Sequence, residues 1–205
     1  GPDPKTDRPV YSLWLGEVDV PTHPKMPNPE IPRLLLGSSS EDPLRRIGKL
    51  NAGRIEGSGF AVRHPIRPRL DLLDALPSSV RGQPSYSRLR HVKARKAKIR
   101  DYLREKGFVV DLSNGNVVYT VYVINLSDDV GPRINPHRWV YVGQTQKTPE
   151  ERFEEHRRGY KASKWVKNYG LHLNYELFSR AVPQVRFRQD ALAIESQLAT
   201  DLEDR

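Results

Sequence analysis

Hydrophobic and polar residues follow different periods in different stretches of the chain, and these periods predict its elements. Near the amino end, Val10-Tyr11-Ser12-Leu13-Trp14-Leu15 is an apolar run in proline-rich surroundings, which reads as a strand leading into an extended loop. Leu34, Leu35 and Leu36 before Gly37 form a candidate short strand. Leu70 to Leu76, with Pro65, Pro68 and Pro77 around it, stays open between strand and short helix. From Ser85 to Lys106 the period changes. Leu89, Val92, Ile99 and Leu103 recur at helical steps along one stripe, interrupted by Lys96 and ended by Gly107.

The second half is patterned more regularly. Asn114-Gly115 marks a turn, and Val117 to Ile124 is a β-branched and aromatic run of the kind that fills a buried strand. Trp139 to Val142 predicts a second strand ending at Gly143. Thr148-Pro149-Glu150-Glu151 joins a capping box to a proline at the first helical position, so a helix starts there and runs to Arg158. Further elements expected are a helix over 162–169, an alternating third strand over 171–178 and a last helix over 189–202. The fold class expected is α/β: a small three-stranded antiparallel sheet flanked by helices, preceded by an N-terminal α+β region. The expected organisation is an N-terminal region over 1–84, a basic helix over 85–107 and a compact domain over 108–205.

Composition narrows the function classes. No apolar run approaches the roughly 18 residues needed to cross a bilayer, so no membrane partner is expected. The absence of cysteine excludes disulfides, Cys-ligated zinc and thiol nucleophiles, and with no signal-peptide pattern it leads us to expect an intracellular, cytoplasmic protein. The net charge of +9 is concentrated, because residues 78–107 hold ten Lys/Arg against two acids. Arg88, Arg90, Lys93, Arg95, Lys96, Lys98 and Arg100 on the predicted helix are therefore expected to meet a phosphate backbone, the alternative being an ordinary solvated helix face.

Two groups in the second half carry chemistry. Arg152 and His156 stand four apart on the capped helix and share a face, where a guanidinium fork and a near-neutral base can converge on one phosphate. Glu195 lies among Ala191, Ile194, Leu198 and Leu202, so its carboxylate needs a partner. That partner is either a divalent cation or a base such as Arg152.

Val121-Tyr122-Val123-Ile124, then Tyr141-Val142-Gly143-Gln144-Thr145, then Arg152 and His156, resembles the GIY-YIG nuclease superfamily. Ala162 to Val166 and Ala191 to Glu195 resemble its later segments, so the likeness covers nearly all of residues 117–202. The resemblance implies a metal-dependent endonuclease hydrolysing phosphodiester bonds of DNA, with RNA as the other substrate. It implies Mg²⁺ or Mn²⁺ on Glu195, Arg152 on the phosphate, His156 as proton relay, and Tyr122 and Tyr141 on the attacking water. The first-motif tyrosine has an alternative in Tyr119, on the opposite strand face, where Val117-Val118-Tyr119 is the literal motif analogue with Val in place of Gly. Lys161, Lys164 and Lys167 join the expected nucleic-acid contacts. The alternative reading is a catalytically silent nucleic-acid-binding or regulatory module on the same fold.

The first half carries a weak internal repeat. Residues 33–77 align without gaps on 139–183, with Gly37, Pro43, Arg46, Gly53, Ala75 and Pro77 identical. In such a degenerate copy Trp14 stands for Tyr122, Leu35 for Tyr141, Leu50 for His156 and Lys96 for Glu195, which would bind or scaffold but not cut. Composition produces identities of this kind as well, so the sequence leaves the duplication open.

Overall fold

The computed structural model describes residues 9–20, 26–113, 117–132, 138–178 and 185–204; the expected Asn114-Gly115 turn lies outside them. The chain forms two compact units, Gly1–Thr22 with Asn28–Asn116, and His23–Pro27 with Val117–Arg205. The boundary thus falls after Asn116, not at 107, and the basic helix is no separate segment but part of the first unit. No described helix is long and apolar enough to cross a membrane.

The first unit runs β1 (Tyr11–Val18), β2 (Arg33–Ser39), α1 (Pro43–Asn51), α2 (Gly59–Arg63), β3 (Ile66–Pro68), α3 (Leu70–Asp74), α4 (Ser78–Arg81), β4 (Ser85–Tyr86), α5 (Leu89–Glu105) and β5 (Val109–Leu112). Its sheet has the order β3-β1-β2-β5, with β4 also on β1. The β2–β5 pair is parallel, which draws residues 109–112 into this unit. Proline confines β3 to a three-residue edge strand, and the segment left open over 70–76 becomes the short helix α3. Leu13 and Leu15, Leu34 and Leu36, and Val110 form one core with Val92, Ile99 and Leu103 of α5. Val92, Ile99 and Leu103 of the predicted stripe are thus buried, whereas Leu89, at the first position of α5, is exposed. Trp14 points to the other sheet face and lies directly over Gly37, where any Cβ would collide with the indole ring.

The second unit runs β6 (Thr120–Leu126), a 3₁₀ turn (Asp128–Val130), β7 (Val140–Thr145), α6 (Pro149–Arg157), α7 (Lys164–Tyr169), β8 (Gly170–Leu173) and α8 (Arg188–Glu203). Its sheet is three-stranded and antiparallel, in the order β7-β6-β8. β8 stops at Leu173, well short of the expected 178. Asn174 turns the chain, since its Oδ1 accepts the Leu177 N–H at 3.2 Å and its Nδ2 donates to Asn125 Oδ1 at 2.9 Å.

The two units share one plan. Strand order β3-β1-β2 matches β8-β6-β7, and Trp14↔Gly37 occupies the register of Tyr122↔Gly143. Asp42-Pro43 caps α1 as Thr148-Pro149 caps α6, each N-cap side chain accepting a backbone N–H. Tyr11 pairs with Tyr86 three residues before α5, and Tyr119 with Val185 three residues before α8. By this correspondence Lys96 falls where Glu195 falls.

The Trp14–Gly37 contact gives a direct test of the shared plan. Gly37→Ala is expected to destabilise the first unit by about 1–3 kcal/mol through overpacking, whereas Gly48→Ala, inside α1 with open space around it, is expected to be neutral or slightly stabilising. Urea denaturation of the full chain measures both; equal effects would contradict the packing argument.

Candidate active site

The β6–β7 register places Tyr122 opposite Gly143 and Ile124 opposite Tyr141, so both tyrosines stand on one face of the sheet. Their ring centroids are 6.4 Å apart. The space is made by Gly143, where a Cβ would come within 2.8 Å of both Tyr122 Oη and Tyr141 Cε1. The glycine of the Tyr-Val-Gly run is thus a steric requirement of the two phenols.

α6 brings its residues to the same face. His156 is 1% exposed, and its Nδ1 accepts the backbone N–H of Ser163 at 2.9 Å. A nitrogen that accepts carries no proton, so the neutral ring holds its proton on Nε2, which lies 3.0 Å from Tyr122 Oη. His156 therefore donates to Tyr122. Tyr122, with its oxygen accepting, has its own hydrogen left to turn away from His156, and the nearby Tyr122 and Ser163 hydroxyls both act to lower the Tyr141 phenol. The chain of donors runs Ser163, His156, Tyr122, with the Tyr141 ring 6.4 Å from that of Tyr122. In this tautomer both ring nitrogens of His156 are engaged, Nδ1 by a backbone amide and Nε2–H by Tyr122.

Electrostatics agree with a neutral imidazole. Burial, reinforced by the Arg152 guanidinium and opposed by Glu155, pushes His156 down to about 4. Burial pushes the Tyr122 phenol far above its ordinary range, with Tyr141 and Glu195 acting the same way and Arg152 against them. Tyr141 is also raised, by burial and then by Glu195, while Arg152 again opposes.

Arg152 is held as well as aimed. Its Nη1 pairs with Glu155 at 3.2 Å and its Nη2 donates to the Lys161 carbonyl at 2.9 Å. Glu155 is paired in turn with Lys147. The salt bridge from Arg152 to Glu195, left open by the sequence, is not formed. Glu195 on α8 is half-buried, burial raises its carboxyl, and it has no hydrogen bond or ion pair to a described residue. Such a carboxylate fits a divalent cation. Among the described residues no three His, Asp or Glu gather into a cage, so the ion would take one protein oxygen and leave its other positions to water and phosphate.

Tyr119 stands apart from this group, its Oη accepting from Gln146 Nε2 at 2.7 Å. The structure therefore brings together Tyr122, Tyr141, Arg152 and His156, with Glu195 close enough to raise both phenols. The Ser163 amide and hydroxyl and the Glu155–Lys147 pair were not read from the sequence. Their signal, a turn after a capped helix, is too common to single out.

The basic helix divides on inspection. Arg95 is tied to the carbonyls of Ser79 and Val80 at 2.9 and 2.8 Å, and Arg100 is paired with Asp101, so neither is a free contact. Lys96 is half-buried, and burial with Lys93 nearby lowers its ammonium. Arg88, Arg90, Lys93 and Lys98 are exposed, as are Lys161, Lys164 and Lys167 in the second unit.

The neutral His156 has a thermodynamic consequence. Its folded value of about 4 lies below the ordinary 6.5, so the unfolded chain binds the proton first, and the stabilisation is complete above 6.5 and lost as pH falls through about 4. The stability difference between wild type and His156→Gln is expected to shrink by on the order of 3 kcal/mol across that window. Urea titrations at stepped pH measure it, and a constant difference would refute the buried neutral tautomer.

Compared with known proteins, the chain matches no family model, no curated protein and no solved structure, and the chemistry of the site rests on the residues themselves.

Proposed function

We propose that the second unit is a metal-dependent endonuclease that hydrolyses phosphodiester bonds of DNA. The observation that carries this reading is the directed chain from the Ser163 amide through His156 to Tyr122, with Tyr141 and Arg152 on the same face and a half-buried Glu195 carboxylate that has no partner among the described residues.

In this reading Tyr141 first loses its proton to solvent; the water oxygen then forms the new bond to phosphorus while the water's proton passes to the Tyr141 phenolate oxygen. The bond to the leaving oxygen breaks, and that oxygen is protonated from solvent. Tyr141 is the candidate base because the neighbouring Ser163 and Tyr122 hydroxyls both act to lower its phenol. Burial and Glu195 oppose that ionisation, and Arg152 alone of the protein groups named above favours it by charge. Glu195 would hold a divalent cation, which would supply positive charge against that carboxylate's influence on the phenols and against the phosphate. Arg152 neutralises the equatorial oxygens, its guanidinium kept in place by Glu155 and the Lys161 carbonyl. The cationic side chains Lys161, Lys164 and Lys167 hold the backbone of the nucleic acid.

The competing reading, a silent nucleic-acid-binding module, draws on Arg152 being already engaged by the protein's own oxygens.

Incubation of supercoiled plasmid or labelled RNA with Mg²⁺ or Mn²⁺ separates the two. Cleavage is expected with metal and not with EDTA, to fall about 10²–10³-fold in Glu195→Ala, Arg152→Ala and Tyr141→Phe, and to rise with pH through the neutral range as a phenol is deprotonated. Cleavage that survives both Glu195→Ala and Arg152→Ala would sink the assignment.

A further inference from the structure

The residues from Arg157 to Asn168 include five Lys/Arg and no acid, and two large aromatic side chains stand among them at the surface. Tyr160 is 57% exposed and Trp165 51%. Burial elsewhere in the unit takes most of the large apolar rings, so two in one cationic segment call for a partner with flat apolar faces and negative charge.

Their placement ties them to the candidate site. The Tyr160 and Lys161 carbonyls accept from Arg152 at 3.5 and 2.9 Å, and the Ser163 amide donates to His156. Lys161 holds a left-handed backbone, φ 43°, that a side chain rarely adopts, so this turn is fixed at some cost in strain. The Lys161 ammonium lies 5.5 Å from the Tyr160 ring centre. Trp165 starts α7 with its ring 6.1 Å from that of Tyr169, tilted by 33°, which orients the indole while leaving half its surface open.

Cations alone would serve any nucleic acid, because every phosphate is the same to them. Rings discriminate. A duplex keeps its base faces inside its own stack, so an exposed aromatic face gains a base only where the strand is unpaired or a nucleotide has swung out. We propose that Trp165 and Tyr160, framed by Lys161, Lys164 and Lys167, form a stacking platform for unpaired nucleotides, and that the strand entering the site is single-stranded or locally unpaired. The proposal rests on the nucleic-acid reading of the site, and it adds the substrate class.

The test is binding without cleavage. A fluorescein-labelled DNA oligonucleotide, as single strand and as blunt duplex of the same sequence, is titrated with the full-length chain in EDTA and followed by anisotropy. The single strand is expected to bind more tightly and to quench tryptophan emission. Trp165→Ala is expected to weaken single-strand binding roughly tenfold and duplex binding less than about twofold, with Trp165→Phe retaining most of the affinity and Tyr160→Ala acting in the same direction. Equal loss on both forms, a preference for duplex, or no binding to either overturns the platform. Absence of metal-dependent cleavage while the strand preference stands would instead overturn the hydrolytic reading alone.

Discussion

The backbone amide of Ser163 sets the chemistry of the second unit by occupying His156 Nδ1. Once that nitrogen accepts, the proton of the neutral ring belongs on Nε2, Tyr122 receives it as a hydrogen bond, and the hydroxyl of Tyr122 is free to turn toward Tyr141. One amide thereby gives direction to three side chains. The same turn holds Arg152 through the Lys161 carbonyl, so the loop after α6 orients both helix residues of the site. Burial of His156 keeps the arrangement neutral, since a charged ring would offer Nδ1–H to an N–H.

The first unit displays what the same scaffold does without this device. Its strand order, helix caps and large-residue-over-glycine contact match those of the second unit, and it has Leu50 at the position of His156 and Trp14 at that of Tyr122. The consequence is visible at the indole, whose buried N–H has no hydrogen-bond partner among the described residues, whereas the Tyr122 hydroxyl has His156. Lys96 at the place of Glu195 inverts the remaining charge, so nothing there would retain a divalent cation. The repeat read from six scattered identities is thus carried by topology and register more than by side chains.

Much of this was legible in the sequence, and what was not has identifiable reasons. The capping box of α6, the stripe of α5 and the apolar flanks of Glu195 are local patterns, and each appears in the structure where its period placed it. β8 was overextended because Tyr175 and Leu177 continue an alternation that Asn174 interrupts with side-chain hydrogen bonds, an effect invisible to hydropathy. β5 was missed, and the unit boundary with it, because four residues after a helix carry little period until β2 supplies a parallel edge. Tyr122 and Tyr119 could not be separated by motif alone. Register separates them, since Tyr122 faces Gly143 while Tyr119 bonds Gln146. The basic helix was read as one surface, but Arg95 and Arg100 are used within the fold, because a long guanidinium finds carbonyls or carboxylates that sequence distance conceals.

Charge balance at the tyrosines gives the site its remaining logic. Burial raises both phenols, and Glu195 raises them further, so the protein by itself holds the two oxygens protonated at neutral pH. The Ser163 and Tyr122 hydroxyls work the other way at Tyr141, and Arg152 adds a positive charge that its own carboxylate partner, Glu155, partly cancels. The sign of the charge at Glu195 bears on both phenols. A bare carboxylate there favours the phenol; the same carboxylate covered by a cation favours the phenolate. With Glu195 half-buried and without a partner among the described residues, a change of charge at that carboxylate would be felt at both phenols.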